Sequence, residues 1–316
     1  FQQIDNFQTR LKLIQPWIIA LGSPAMKPIE VDGKIIKNQF VIIALNSGDD
    51  VDLLLKSTLF SNDDTFPTAY NGGWFHAIMM HCTPPQTETH RNMYKKVFKH
   101  IKSCGVSLER TDDEGRTALL FAANTKYKIY WCDYLVSLGA DIKATTNNEE
   151  TLLHLLCSPV IASTGAVNGS VPIEVLEKYV DKGLDINALD SLNRSPVYNI
   201  IQNLGHQESN GYINLCPLDI NISYFRSLVD MGMDLKLETR GWNIATYAIK
   251  YRCTNQIVNT LSTTFDLPLN HGGVDNNCLF AKLYANYSVQ KYFDSSKVDW
   301  LKSLGIDMNI PDPTGK

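Results

Sequence analysis

Residues 133–144 read DYLVSLGADIKA, and this stretch decides the fold because its pattern returns along the chain. Each copy has an apolar helical stripe, then Gly, then a residue pair that ends in Asp, then an apolar residue of the β type. The further copies are EKYVDKGLDINA at 177–188, RSLVDMGMDLKL at 226–237 and DWLKSLGIDMNI at 299–310. An earlier copy, FKHIKSCGVSLER at 98–110, has Ser107 in the Asp position. A glycine after such a stripe predicts a helix that ends in the left-handed conformation.

A second pattern follows each Gly-x-Asp, namely a short polar turn and then the start of a new helix. Its copies are DDEGRTALLFAA at 112–123, TNNEETLLHLLC at 146–157, DSLNRSPVYNII at 190–201 and ETRGWNIATYAI at 238–249. Two earlier, less regular units precede them, so these four begin the third, fourth, fifth and sixth repeats. The turn predicts a hairpin-like finger, and the Thr or Ser after it predicts a helix N-cap. One unit is therefore a finger followed by two helices.

The two patterns together resemble the ankyrin repeat, whose signature is D-x-x-G-x-T-P-L-H-x-A-A. Signature positions are matched in register by Thr117, Thr151, Ser195, Pro196, His154, Gly115 and Gly241. The resemblance implies an all-α solenoid of about seven helix-turn-helix repeats, in which helix pairs stack and share a continuous core. It covers residues 30–310, nearly the whole chain.

Two domains are expected from this register. Residues 29–316 form the repeat domain, and its closing PDPTGK is read as the finger of a truncated eighth repeat. Residues 1–28 do not fit the pattern and are interpreted as a helix that caps the first repeat, or as a linker from an upstream domain. The repeats are lengthened by insertions, which in solenoids fall in loops. The insertions are placed at 83–92, 158–171, 203–221 and near 288–297.

The composition excludes several classes of protein. The chain has 316 residues, of which 44% are hydrophobic and 20% charged, so wholesale disorder is excluded. A formal net charge of −4 removes the broad positive footprint of a nucleic-acid binder. No apolar run is long enough to predict a membrane-spanning helix. The seven cysteines are irregularly spaced and form no C-x-x-C, which favours a reducing, intracellular site of action.

No catalytic, metal or cofactor site is predicted. The HCTPPQTETHR stretch at 81–91 has Glu88 where a cysteine-phosphatase loop needs Arg, so that activity is excluded. His76 and His81 are five residues apart and do not share a helical face, which argues against zinc. The resemblance instead gives His76 and His154 a structural role, in which the ring hydrogen-bonds the neighbouring finger. Nucleotide-binding, zinc-protease and serine-hydrolase motifs are also missing.

The resemblance also implies where a partner binds. In the ankyrin family the recognition surface consists of finger tips and exposed positions of each first helix. Carried over position by position, this surface comprises Glu114, Arg116, Asn124, Asn148, Glu150, Arg194, Gln202, Arg240, Trp242, Lys250 and Tyr251. The fifth and sixth repeats combine cations with aromatic residues, which are typical interface anchors. Trp242 is the first choice as a hot spot, and the alternative is that it packs on a neighbouring finger.

Three functional hypotheses follow. The first is an adaptor that binds a protein partner, without nucleic acid or membrane and as a monomer. The second is the substrate-targeting part of an enzyme whose catalytic domain lies elsewhere. The third is an active site within the repeats, around 203–221 or as a cysteine protease built from Cys82 or Cys278 with His206 or His271. Divergent repeats rich in Asn and Lys also resemble the ankyrin effectors that intracellular bacteria secrete into the host cytoplasm.

Overall fold

The computed structural model describes residues 29–31, 34–36, 55, 60–63, 70–82, 85, 87–158, 171–209, 222–251, 253, 255–269 and 295–306. Two compact units divide the chain, Phe1–Thr146 and Asn147–Lys316. The predicted cap or linker at 1–28 lies outside the described residues. The described chain is predominantly helical, in agreement with the all-α expectation.

In its described ranges, the first unit contains two short strands and the four helices named below. β1 (Ile29–Val31) and β2 (Lys34–Ile36) form an antiparallel pair that the sequence analysis did not predict. The intervening sequence is Asp32-Gly33, a dipeptide that favours two-residue hairpin turns. The helices are α1 (Trp74–His81), α2 (Glu88–Ser103), α3 (Ala118–Ala123) and α4 (Lys128–Ser137). Contacts join α1 to α3 and α3 to α4.

The second unit continues the alternation of helices. Its elements are α5 (Leu152–Cys157), α6 (Ile173–Val180), α7 (Pro196–Ser209), α8 (Ile222–Asp230), α9 (Ile244–Lys250), α10 (Asn255–Asn259), a π-helical turn (Thr260–Thr264) and α11 (Ser295–Ser303). In this unit, a helix that follows one finger packs on the helix that follows the next finger, α5 on α7 and α7 on α9. Helix α6 packs on α8. Helices α5, α7 and α9 follow the fourth, fifth and sixth fingers of the sequence pattern.

The helix ends repeat one geometry. The predicted glycines are all left-handed, with φ between 76° and 92°, at Gly105, Gly139, Gly183, Gly232 and Gly305. At each, the glycine N–H bonds to the carbonyl three residues back, and the next N–H reaches the carbonyl five back. This pair of hydrogen bonds is the Schellman motif. In the sixth repeat, which lacks the glycine, Asp266 takes the left-handed conformation with φ of 53°.

The Asp after each glycine caps a local turn. Asp141, Asp185 and Asp234 each accept a hydrogen bond at Oδ1 from the N–H two residues ahead, at 2.8 Å. Ser107 makes the same bond through its hydroxyl oxygen, at 3.0 Å. A hydroxyl can replace the carboxylate here because one acceptor oxygen is all that this turn needs.

The predicted N-caps are confirmed at one position and wrong at another. Thr117 accepts a hydrogen bond from the Leu120 N–H. At Thr151 the backbone N–H donates to Nδ1 of His154, at 3.2 Å. Ser195 precedes α7, but its buried hydroxyl has no hydrogen-bond partner in the structure. The Tyr198 N–H bonds to the backbone carbonyl of Ser195 instead, at 3.0 Å.

Two predicted insertions are shorter than the sequence suggested. Helix α2 begins at Glu88, so residues 88–92 of the expected 83–92 loop are helical. Thr87 starts this helix by accepting a bond from the His90 N–H. Helix α7 runs to Ser209, so the first seven residues of the expected 203–221 loop extend a helix. The insertion at 159–170 and most of 288–297 lie outside the described residues.

Candidate functional site

The fingers of the third and fifth repeats share one electrostatic core. Asp190 accepts bonds at Oδ1 from the Leu192 and Arg194 N–H groups, each at 2.9 Å. Its Oδ2 pairs with the Arg194 guanidinium, with Nε at 2.8 Å and Nη2 at 2.6 Å. Asp112 binds the Arg116 backbone and side chain in the same way, at 2.9 and 2.8 Å. The Asp thus fixes both the turn and the direction of the Arg four residues on.

A buried side chain from the preceding repeat holds each of these fingers. The Nε2 of His76 bonds to the Arg116 carbonyl at 2.9 Å, and that of His154 bonds to the Arg194 carbonyl at 2.8 Å. On the other ring side, Nδ1 accepts from the N–H of Gly73 or Thr151, at 3.2 Å. Tyr198 takes the same position one repeat later, where its hydroxyl donates to carbonyls of the next finger. The predicted structural role of the two histidines is confirmed.

The sixth finger is a tight hairpin that presents Arg240. Thr239 and Trp242 exchange both backbone bonds, at 3.0 and 2.8 Å, and Arg240 and Gly241 between them have φ of 49° and 69°. Positive φ at both central residues defines a type I′ turn, which normally takes Asn or Gly. An Arg held in this conformation costs on the order of 1 kcal/mol. Thr239 Oγ1 donates to the Leu192 carbonyl at 2.8 Å and so joins this finger to the fifth.

Helix α9 turns an aromatic and basic face toward this finger. Tyr247, Lys250 and Tyr251 are spaced i, i+3, i+4 and therefore share one face. The Lys250 Nζ lies over three rings, 5.0 Å from that of Trp242, 5.4 Å from Tyr247 and 5.7 Å from Tyr251. From α7, Gln202 Nε2 donates to the Tyr247 and Tyr251 hydroxyls at 2.6 and 3.1 Å. The face is thus held in place by a neighbouring helix.

These elements surround a depression of about 160 Å³, which we call the basic–aromatic pocket. Its lining combines three cations, three aromatic rings and two smaller side chains, namely Arg194, Arg240, Lys250, Trp242, Tyr247, Tyr251, Leu192 and Thr239. All of these residues belong to the second unit. The pocket therefore joins the fifth finger, the sixth finger and α9 in one surface.

The pocket is electropositive. Burial alone lowers the pKa of the Arg194 guanidinium, but the hydrogen bond and the charge of Asp190 outweigh it and raise that pKa above its ordinary value. Burial also raises the pKa of the Tyr247 hydroxyl, so this group stays neutral. None of the described lining residues is acidic. Within the described part of the chain, Arg240 and Lys250 have no carboxylate at ion-pair distance, so their two charges are uncompensated.

The structure brings six of the predicted binding residues together. Five line the pocket and the sixth, Gln202, hydrogen-bonds Tyr251. Trp242 is partly exposed rather than enclosed in the core. Asn148 is exposed and Glu150 partly exposed at the start of the same unit, and the Asn148 carbonyl accepts from the Ser191 N–H at 2.9 Å.

The three predicted residues of the third repeat lie in the first unit and behave differently. Arg116 is only 4% exposed, so the expectation of an exposed contact residue is wrong there. Its guanidinium lies 4.6 Å from the Tyr70 ring centroid and 5.0 Å from that of Phe121, and it pairs with Asp112. Glu114 is exposed but bound to Arg116 at 3.0 Å. Asn124 is exposed at the end of α3.

Sequence reasoning missed Tyr247 and Leu192. Tyr247 has a signal, because it stands three and four residues before Lys250 and Tyr251 on a predicted helix. Leu192 also has one, since an apolar residue at the tip of a polar finger has no local core to enter. It is 37% exposed. Neither signal shows that both residues meet at one pocket, because residues 192 and 247 belong to different repeats.

The alternative catalytic sites find no support among the described residues. Cys82 is buried, and burial raises the pKa of its thiol to about 12, which opposes nucleophilic attack. Cys157 is buried beside His154, whose two ring nitrogens are both engaged. Cys278, His271 and the side chain of His206 lie outside the described residues.

The described residues contain neither a candidate metal cluster nor a membrane-spanning helix. Within the described ranges, no cluster of three or more His, Cys, Asp or Glu side chains could hold a metal ion. In the described part of the chain, no disulfide bond is formed by Cys82, Cys104, Cys132, Cys157 or Cys253. Of the helices in the described parts, none is both long and apolar enough to cross a membrane.

Comparisons with known proteins leave the family open. The chain matches no protein-family model, and no curated protein matches it. The site must therefore be interpreted from its own geometry.

Proposed function

We propose that this chain is an ankyrin-type repeat module that binds a protein partner through the basic–aromatic pocket. The observation that carries the proposal is the lining of that pocket, in which Arg240 and Trp242 stand partly or fully exposed beside Lys250. Arg and Trp are the residue types most enriched at the energetic centres of protein interfaces. The ankyrin assignment is supported by the recurring fingers, caps and helix ends, and it is an argument by analogy for function.

The proposal includes an intracellular partner and a monomeric module that acts as an adaptor or as part of a larger effector. An intracellular site of action is supported by the seven irregularly spaced cysteines, whose described members form no disulfide bond. The pocket needs no second copy of the chain, because the second unit supplies all of its lining. A role in nucleic-acid binding is disfavoured by the net charge of −4, although the pocket itself is positive.

A comparative affinity capture from eukaryotic cell lysate tests the proposal. The baits are the wild-type chain, Arg240→Ala/Trp242→Ala, and Lys182→Ala/Lys236→Ala, which removes two exposed cations outside the pocket. We expect one protein to be retained by the wild type and the control and lost by the pocket variant. That protein, once purified, should bind in isothermal titration calorimetry with the same dependence. The pocket variant should keep its thermal midpoint within a few degrees, since exposed side chains contribute little stability.

Equal capture by all three baits, or equal affinity of the purified partner for them, would place recognition on another surface. A large fall in the thermal midpoint of Arg240→Ala/Trp242→Ala would instead show that Trp242 stabilises the fold.

A further inference from the structure

The uncompensated charges of the pocket indicate what kind of segment it receives. Resting on the proposed function, we infer that the pocket takes an acidic peptide segment, with Asp or Glu carboxylates paired to Arg240 and Lys250 and a neighbouring apolar side chain against Trp242 and Leu192.

The rings of the pocket are not available to a cationic ligand. Three aromatic faces around one cation form the arrangement that recognises ammonium groups. Here the chain's own Lys250 Nζ already lies 5.0 to 5.7 Å from the three ring centroids. A second cation would meet that charge and the charges of Arg194 and Arg240. The rings therefore hold Lys250 in place as a donor, and the complementary ligand is an anion.

The pocket suits side chains of a peptide better than a whole small molecule. Its volume of about 160 Å³ is below the roughly 300–1,000 Å³ typical of small-molecule sites. One or two side chains fill such a space. Leu192, which is 37% exposed, and the partly exposed Trp242 supply apolar surface beside the cations. A segment with an acidic residue next to an apolar residue matches both features.

The position of Arg240 supports its assignment as a contact residue. It is exposed at the tip of the sixth finger, and no carboxylate of the described structure pairs with its guanidinium. Its φ of 49° belongs to the finger geometry, since Tyr70, Glu149 and Asn193 adopt φ of 53°, 61° and 56° in other fingers. The exposed guanidinium is therefore available to a carboxylate of the partner.

Selection from an unbiased peptide library tests the inference. A phage-displayed library of random peptides is selected on the immobilised full chain, with parallel selections on Arg240→Gln/Lys250→Gln, on Trp242→Ala, and on Lys182→Gln/Lys236→Gln as the charge-matched control. We expect peptides enriched in Asp or Glu next to an apolar residue on the wild type and the control. Both pocket variants should lose them. Circular dichroism and the thermal midpoint establish that each variant is folded.

A double-mutant cycle then isolates the charge contact. A synthetic enriched peptide and its Asn/Gln form are titrated by fluorescence anisotropy against the wild type and Arg240→Gln/Lys250→Gln. Removing the carboxylates should weaken binding to the wild type about tenfold and leave binding to the variant nearly unchanged. The wild-type affinity should also fall as salt is raised, because exposed charge pairs are screened.

Two outcomes overturn the inference in different ways. Enriched peptides that need Trp242 but carry no acidic residue would reject the acidic segment and leave protein recognition by the pocket intact. Selection without any pocket-dependent peptide would reject a peptide ligand altogether. If, in addition, no captured protein depends on Arg240 and Trp242, the proposed function fails as well.

Discussion

The third and fifth fingers share the same bonds but differ in what surrounds their arginine. Asp112 and Asp190 hold Arg116 and Arg194 with matching geometry. The Arg116 side chain is 5% exposed, whereas that of Arg194 is 19% exposed. Tyr70 and Phe121 cover the first arginine. The second borders the basic–aromatic pocket.

This contrast separates the local motif from the role of the residue within it. The Asp-x-x-x-Arg spacing determines the turn and the ion pair in both fingers. Exposure depends on the neighbouring repeat, which places Tyr70 against Arg116 but leaves Arg194 beside a pocket. The arginine of the same five-residue motif is therefore covered in the first unit and borders a pocket in the second.

Removal of the buried carboxylate should give the largest difference between the two fingers in the free energy of unfolding. Asp112→Ala removes the buried carboxylate that pairs with Arg116 and leaves the exposed Glu114 as its ion-pair partner. We expect a loss of about 3 kcal/mol in the free energy of unfolding. Asp190→Ala should cost about 1–2 kcal/mol less, because water reaches the partly exposed Arg194. Urea denaturation of the full chain measures both losses, and hydrogen exchange locates them at 112–124 or 190–204. Equal losses in the two variants would show that arginine exposure is not the deciding factor.

Acid should weaken both fingers through the histidines that hold them. Burial lowers the pKa of His76 and His154 below the ordinary value of 6.5. Above that pH the two histidine side chains are neutral in both the folded and the unfolded state. As the pH falls below 6.5, the unfolded chain binds protons first, so the free energy of unfolding decreases. Protonation would also place a hydrogen on Nδ1, which faces the N–H of Gly73 or Thr151.

Thermal midpoints measured between about pH 7.5 and pH 5 check this expectation. His76→Gln/His154→Gln should start with a lower midpoint and respond less to acid. The control His90→Gln/His100→Gln, which leaves both finger contacts in place, should keep the wild-type slope. If the two double variants show the same slope, other groups cause the acid response.

Removing a ring that covers Arg116 should make the exposure of the two arginines more alike. Of the changes described, it should have the smallest effect on the free energy of unfolding. Tyr70→Asn removes one ring over the guanidinium and keeps a residue type that accepts the φ of 53° found there. We expect a loss of about 1 kcal/mol or less. Labelling with phenylglyoxal, read by mass spectrometry, should modify Arg194 and Arg240 but spare Arg116 in the wild type. In Tyr70→Asn the labelling of Arg116 should rise, and unchanged protection would assign its burial to Phe121 and Asp112 alone.

The candidate site could be predicted only in part. Arg240, Trp242, Lys250 and Tyr251 were found because a repeat register assigns them to finger tips and to exposed positions of the first helix. Arg116 was misplaced because the register describes one repeat at a time, while its cover comes from Tyr70 in the preceding one. The N-cap prediction at Ser195 was wrong for a related reason. Its hydroxyl is buried in the folded chain and makes no hydrogen bond to the start of α7 among the described residues.

Local chemistry was determined by the sequence itself. The left-handed helix ends follow from the glycines, since only a residue without a β-carbon adopts that conformation at little cost. The turns follow from Asp or Ser at fixed offsets, because their side-chain oxygens reach the N–H two residues ahead. Short-range bonds of this kind depend on spacing alone. The tertiary structure decided that Tyr70 covers Arg116 and that Gln202 fixes the α9 face, because those contacts join residues about 40 to 50 positions apart.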